Sequence, residues 1–351
     1  MLRCVQPAVF GAAVLIASPA AMATVSHCVG NASQLQGAFT AAATNGEADF
    51  VKLRSGVITP ATTLAYRSNV AGADQLPLIV DGGYNSDCSA RTGETFIDGD
   101  GALRPFLFEF GGADFAVIQH LTVMRGFGGE FVSAGGNMAV YLYDQGGGAD
   151  VRIEAVRFLL GHSEISAGAL AVNGWGTFTL RNSLFNGNEA PGMAALSINL
   201  TGEIHVVNNT IAHNVRLGGQ GGAAVYSNPV TAASRAEFAN NIIWDNDNVA
   251  FDLYMLNGDR HTLLDNDIGS HTSLPPQNET GELSIDPEFG DCGALCVDLP
   301  LSAGSPLTNQ GENDPTAGVG AQDLLGRPRI AAQRVDIGAY ELDRLFDDGF
   351  D

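Results

Sequence analysis

Asn182-Ser-Leu-Phe-Asn-Gly-Asn188 and Asn208-Asn-Thr-Ile-Ala-His-Asn214 are two copies of one seven-residue pattern. It recurs as His120-Leu-Thr-Val-Met-Arg-Gly126, Ala155-Val-Arg-Phe-Leu-Leu-Gly161 and Asn240-Asn-Ile-Ile-Trp-Asp-Asn246. Successive copies start 35, 27, 26 and 32 residues apart. Periods of this size mark a stacked array, in which each unit buries its apolar face against its neighbours. Two residues before each start stand Ile118, Ile153, Leu180, Val206 and Phe238; three residues after it stand Val123, Phe158, Phe185, Ile211 and Ile243. Both columns are apolar throughout. The first and seventh positions are rich in Asn and Gly, which tolerate left-handed backbone, so the bends are expected there. Stacked asparagines can also hydrogen-bond from one unit to the next.

Each copy continues into a second short strand, as in Met138-Ala-Val-Tyr-Leu142 and Met193-Ala-Ala-Leu-Ser197. Short strands, sharp bends and inward apolar columns describe an all-β right-handed parallel β-helix, because parallel crossovers are overwhelmingly right-handed. A leucine-rich horseshoe lacks its leucine ladder here, and a propeller needs four strands per unit. The open ends of such a stack need caps. Ser33 to Ala43 reads as a short amphipathic helix with Ser33 as N-cap and Leu35 and Phe39 on one face. The expected organisation is a signal peptide (1–23), an N-terminal cap and first strand (24–60), rungs (61–260), C-terminal rungs and an end cap (261–341), and a tail (342–351).

The N-terminus points to export. Arg3 precedes an apolar run from Ala8 to Ala17, and Ala21-Met-Ala23 fits a small-x-small cleavage site. The run is too short to span a bilayer. Four cysteines follow it, Cys28, Cys88, Cys292 and Cys296. An even set in an exported chain favours disulfides. Three pairings are open, of which Cys28–Cys88 with the local Cys292–Cys296 is preferred. A zinc site would need paired Cys-x-x-Cys spacing or a nearby histidine.

The 351 residues carry 17 Lys+Arg against 39 Asp+Glu, a formal charge of -22. That balance excludes a basic footprint for nucleic acid and disfavours an anionic membrane surface. With 45% hydrophobic residues, the chain has the means to bury a core.

Ser305-Pro-Leu-Thr-Asn-Gln-Gly-Glu-Asn313, Asp323-Leu-Leu-Gly-Arg-Pro-Arg329 and Val335-Asp-Ile-Gly-Ala-Tyr-Glu341 occur in that order. This ending resembles that of the exported bacterial β-helix proteins called choice-of-anchor Q domain proteins. Leu307-Thr-Asn309 stands where Ala-Ile-Asp is more usual. Cys28 and the stretch Asp81 to Cys88 also resemble bacterial members. The resemblance spans roughly residues 27–341 and implies a right-handed β-helix outside the cytoplasm; it supplies no catalytic residues. Members often end in a short sorting segment. The tail Leu345-Phe-Asp-Asp-Gly-Phe-Asp351 reads either as such a tag or as a frayed terminus.

Candidate chemistry comes from the loop after the seventh position, which carries Glu164, Glu189, Arg216 and Asp247. Adjacent rungs lie about 4.8 Å apart, so carboxylates in neighbouring rungs match a retaining pair and those two rungs apart an inverting one. If the four align, the acids could act as acid and base or bind calcium, and Arg216 could hold a uronate carboxylate. Otherwise they are a solvated acidic edge. His213 and Asp245, both at the sixth position, could approach across one rung. Trp175, between two glycines, and Trp244, expected at the surface, could stack on sugar rings. Enzyme motifs are otherwise absent. No Gly-His-Gly or Asn-Thr-Asp occurs, the Gly-rich run Gly218 to Gly222 lacks the Lys-Ser/Thr of a phosphate loop, and there is no Gly-x-Ser-x-Gly. Asp98-Gly-Asp100 and Asp265-Asn-Asp267 read as turns rather than calcium loops. The expected function is binding of glycans or surface partners along the stacked face by a monomer. The alternatives are a polysaccharide lyase or glycoside hydrolase, with calcium as its candidate cofactor, and a purely structural surface protein. The glycan preference rests on analogy between folds.

Overall fold

The computed structural model describes residues 24–129, 135–144, 147–219, 221–272, 274–291, 297–330 and 333–342. The candidate signal peptide, Cys292, Cys296 and the acidic tail lie outside the described residues. The chain folds as a right-handed parallel β-helix whose ladders run parallel along three faces. The first face stacks Leu64–Arg67, Phe106–Phe110, Met138–Leu142, the starts of Leu170–Arg181 and Met193–Val207, Ala223–Pro229 and Phe251–Met255. The second runs from Thr24–Val29 through Ala48–Arg54 and Leu78–Tyr84 to His261–Leu264 and Asn278–Thr280. The third is built of short strands such as Leu184–Asn186, Thr210–Ala212 and Ile242–Trp244.

The two apolar columns are in register as the repeat implies. Ile118, Ile153, Leu180, Val206, Phe238 and Leu263 are successive partners. So are Val123, Phe158, Phe185, Ile211, Ile243 and Ile268. These residues are buried and belong to one continuous core.

The first-position bend stands where expected, and the other lies one residue earlier, at the sixth position instead of the seventh. The left-handed residues are at the first position (His120, Ala155, Asn182, Asn208 and Asn240, φ 51° to 57°) and the sixth (Arg125, Leu160, Gly187, His213 and Asp245, φ 48° to 68°). The seventh position turns inward, and its asparagine amides become the structural element. Asn188 Nδ2 donates to Asn214 Oδ1 at 2.8 Å, Asn214 Nδ2 to Asn246 Oδ1 at 2.9 Å, and Asn246 Nδ2 to Asp252 at 3.0 Å. A second ladder at the second position links Asn209, Asn241 and Asn266 and ends on Glu282. Each amide oxygen also accepts the backbone N–H of the preceding rung's equivalent residue, as Asn241 Oδ1 does from Asn209 N at 3.0 Å. A buried corner has no strand partner for those N–H groups, so the side chains supply one.

Burial raises the carboxyl pKa of Glu282 to about 7 and that of Asp267 to about 6. The folded state therefore holds these protons more tightly than the unfolded chain, whose carboxyls titrate near 4. Their contribution to stability is complete below that value and is lost as pH rises through 6 and 7. The denaturation midpoint is expected to fall between pH 5 and pH 8, and Glu282→Gln to flatten the upper part of that fall. Equal midpoints at the two pH values would contradict this.

At the N-terminal end a strand, Thr24–Val29, precedes the helix Ala32–Ala42, and Ala48–Arg54 follows it. The N-cap is Asn31 rather than Ser33. Asn31 Oδ1 accepts from Gln34 N at 2.9 Å while Gln34 Oε1 accepts from Gly30 N at 2.9 Å, a reciprocal arrangement like a capping box but reaching one residue before the N-cap. The helix covers the core end with Leu35 and Phe39, whose ring meets Tyr66, Phe106 and Phe108 at 5.6–6.2 Å. Asn31→Ala is expected to cost about 1 kcal/mol, read as a lower denaturant midpoint, and Ser33→Ala to leave it unchanged. Cys28 and Cys88 form a disulfide that ties the first strand to the segment after Leu78–Tyr84.

Residues 297–330 and 333–342, most of them in the 261–341 segment expected to close the far end, lie along the flank instead and cover the third face. Leu299, Leu324, Ala339 and Tyr340 pack on Ala155, Leu159, Leu184 and Ala212. Leu301, Leu307 and Ile337 pack on Ile242 and Trp244. The first-position amides fasten this strap: Asn182 donates to Val319 O at 3.0 Å, Asn208 to Asp336 O at 3.2 Å and Asn240 to Glu312 O at 2.8 Å. The third face carries outward apolar residues, so leaving it bare would expose a long apolar stripe.

The Asp-Ile-Gly-Ala-Tyr-Glu run is the knot of the strap. Asp336 accepts from Asn309 N and Leu342 N, both at 2.6 Å. Arg329, fully buried, donates to Asp336 O and Gly338 O and lies 3.7 Å from Glu341. The residues that carry the family resemblance are thus committed to holding the strap.

Candidate functional site

Beyond the sixth-position bend the rungs make a fourth, two-residue strip: Phe127–Gly128, His162–Ser163, Glu189–Ala190 and Val215–Arg216. Register places Phe127, His162, Glu189, Val215 and Asp247 in one column. Glu189 and Asp247 therefore share a column, two rungs apart, or roughly 10 Å along the stack. Arg216 lies one position later, opposite Ala190, and its guanidinium folds back to Gly219 O. Glu164 follows one residue after Ser163 and is exposed. The four candidates thus occupy three successive positions of the strip, because their offsets from the bend differ.

The strip does contain a contact that motif searching missed. His162 Nδ1 lies 2.8 Å from Glu189 Oε1, and the ring of Phe127 stacks on His162 at 5.4 Å with 2° between planes. Both side chains remain open to solvent. In the sequence Gly161-His162 is followed by Ser163 and completes no Gly-His-Gly motif, and the partner 27 residues on needs the rung length to be known. Among the described residues no three His, Cys, Asp or Glu come together to hold a metal ion. Asp98 is engaged by Arg125 and Asp265 by Arg334, as turn and strap contacts.

His213 Nε2 and Asp245 Oδ2 are 3.5 Å apart, both on left-handed backbone and both well exposed. The His213 ring also meets the Phe289 ring edge-on at 5.9 Å. Trp244, expected at the surface, is partly buried because the strap packs on it. Trp175 is 48% exposed. It is held out by Gly174 and Gly176, with φ of 127° and 145°, where a Cβ would fall 1.9 Å from Leu142 O and 2.2 Å from Ala149 O.

A more continuous surface lies on the first face, and sequence reading had not singled it out. Alternation along each strand turns Tyr141, Asn173, Asn199 and Asn228 outward in one column. Asn228 Nδ2 donates to Asn199 Oδ1 and Asn257 Nδ2 to Asn228 Oδ1, each at 3.0 Å. Two positions back along the strands, Tyr226 and Tyr254 stack at 5.8 Å and 23°, with Phe251 edge-on to Tyr254. The tyrosines border a shallow recess with Met193, Ala223 and Leu256. Burial raises the Tyr226 hydroxyl above its ordinary pKa, so it stays a neutral donor. Trp175 stands two residues beyond Asn173 in the same strand. The signal was an Asn or Tyr three residues after each rung's first inward residue, and it competes with the ordinary polar alternation of any exposed strand.

No protein-family model matches the chain, and no curated protein matches it. Among solved structures, the crystal structure of pectate lyase Pel9A is similar over 91% of this chain and 97% of that one, at 14% identity and a TM-score of 0.30.

Proposed function

We propose that this is an exported or cell-surface β-helix protein of the choice-of-anchor Q kind, which binds glycans along its first face without catalysis. The observation that carries the reading is the outward amide column beside the stacked Tyr226 and Tyr254. Amides present a donor and an acceptor to sugar hydroxyls, and aromatic faces pack on the apolar faces of pyranose rings. A column repeating at the rung spacing of about 4.8 Å gives an extended chain more than one purchase, so affinity should grow with chain length.

A panel of acidic and neutral polysaccharides, titrated calorimetrically, tests this. Tyr254→Ala or Asn199→Ala is expected to weaken the best ligand roughly tenfold, the equivalent of one lost stack or hydrogen bond, with an unchanged denaturation midpoint. A panel without binding, or variants that bind as the parent does, would sink the proposal.

The second reading, a lyase or hydrolase, draws on the His162–Glu189 contact and on Asp247 in the same column. Its test is mass spectrometry of released oligosaccharides with calcium and with chelator. Unsaturated ends would establish a lyase and hydrated ends a hydrolase; we expect no release.

A further inference from the structure

Between Met138–Leu142 and Phe251–Met255 the strands of the first face carry one acid and no base. That acid, Asp252, is buried and its carboxylate accepts from Asn246 and Ser270 at 3.0 Å each. The outward columns are built of Ala, Ser, Asn and Tyr. In a chain with 39 Asp+Glu and 17 Lys+Arg this is a long uncharged strip. Charged residues border its ends. Glu109, paired with Arg67, and Asp144 stand at one. At the other, Arg260 is turned onto Pro229 O at 2.8 Å and Val230 O at 2.9 Å.

Two aromatic groups occupy opposite corners of the strip. Tyr226 and Tyr254 form one. The other is Tyr141, Tyr143 and Trp175, with the two tyrosine rings 6.4 Å apart and Tyr143 and Trp175 38% and 48% exposed. Ala139, Ala171, Ser197, Tyr226 and Tyr254 are successive partners in one column. Tyr143 and Trp175 come four residues after Ala139 and Ala171, so the groups flank the amide column on opposite sides. Trp175 is two rungs from Tyr226, and Tyr143 four from Tyr254. At about 4.8 Å per rung and about 3.3 Å per residue, the path from one group to the other runs obliquely over roughly 16–23 Å. Its middle crosses Asn199 and Asn228. The ladder uses one N–H and one lone pair of the Asn228 amide, leaving one of each for a ligand. A donor beside an acceptor suits a hydroxyl and has nothing to neutralise a carboxylate.

Resting on the reading that glycans bind this face, we infer that its ligand is a neutral, linear, equatorially linked glycan of the cellulose, xylan or mannan type. The chain lies obliquely across the amide column, with one sugar ring on the Tyr226–Tyr254 pair and another on Trp175. Such chains are extended ribbons whose ring faces present C–H groups to aromatic rings, and a ribbon fits a straight path over a sheet. Axially linked chains coil away from it. Polyuronates find no cation on the strip and meet a protein of charge -22. A disaccharide is too short to reach both aromatic groups, so affinity is gained when the chain bridges them.

Calorimetric titration of the folded protein tests this with cellohexaose, xylohexaose and mannohexaose, and with the disaccharide of each. Maltohexaose serves as the coiling neutral chain and a galacturonic acid hexamer as the acidic one. The best of the three ribbons is expected to bind at least about tenfold more tightly than maltohexaose, the acidic hexamer or its own disaccharide. Trp175→Ala and Tyr254→Ala should each remove most of the advantage of hexasaccharide over disaccharide, with an unchanged denaturation midpoint, and Trp175→Phe should keep it. If Trp175→Ala unfolds, Tyr143→Ala at the same corner carries the decision. Equal or tighter binding of the acidic hexamer or of maltohexaose, a disaccharide as tight as the hexasaccharide, or a length dependence untouched by the corner variants would overturn this inference. Weakening by Asn199→Ala would still leave the first face as a glycan site. No binding by any of these chains would overturn both.

Discussion

Asn214→Ala is expected to destabilise the protein by about 3–5 kcal/mol, from several buried groups losing partners at about 1–3 kcal/mol each. Asn214 is fully buried. Its side chain accepts from Asn188 N at 3.0 Å and Asn188 Nδ2 at 2.8 Å. It donates to Phe185 O at 3.1 Å, Ala212 O at 3.0 Å and Asn246 Oδ1 at 2.9 Å. Alanine leaves two donors and up to three acceptors without these bonds, at a corner that water reaches poorly. Because each amide in the row both accepts from one rung and donates to the next, the loss also weakens the neighbouring links. Asn199→Ala removes an amide from the solvent-facing column and should change stability by under about 0.5 kcal/mol. Paired urea titrations of the two variants read the difference, and similar midpoints would contradict the structural role given to the inward ladder.

Arg329→Met is expected to cost a comparable amount, about 3–5 kcal/mol, at pH 9, where the pair is ionised, the usual consequence of removing one partner of a buried pair. Arg329 and Glu341 are both buried and lie 3.7 Å apart. Methionine keeps much of the volume but leaves Asp336 O and Gly338 O without the donor they share. Burial pushes the Glu341 carboxyl well above its ordinary range, against the pull of Arg329. Without the arginine, ionising Glu341 becomes harder still. The penalty should therefore be larger at pH 9 than at pH 6, where the carboxyl is neutral in both proteins. Limited proteolysis gives the second readout: cleavage within 297–342 should appear before cleavage within the rungs. A variant with the parent's midpoint and cleavage pattern would show that the strap is held by its apolar clusters alone.

These two positions mark different degrees of legibility. The inward asparagines were visible because their recurrence follows the rung period, although the bend was placed at the seventh position instead of the sixth. Asn and Gly suit both a left-handed bend and an inward amide ladder, so composition at one position does not distinguish them. Arg329 was visible only as part of a motif resembling a family ending. Nothing local indicates that a charged side chain there is buried.

The amino-acid sequence by itself determined the rung, its apolar columns and the parallel stacking, because inward positions admit few residue types and that restriction repeats; it left Cys28–Cys88 as the preferred of three pairings, and the fold selects it. Tertiary structure alone decided what the outward positions do. An exposed face accepts almost any polar residue, and its neighbours depend on rung lengths of 35, 27, 26 and 32 residues rather than on a local pattern. Glu189 thus meets His162 instead of converging with Glu164 and Arg216, and Trp244 is partly covered by the strap. Arg91, His120 and Arg157 come from three separate rungs to line one cleft with Leu324 of the strap. The strap itself lies along the flank because the third face is apolar outward as well as inward, and water drives the remaining chain onto it.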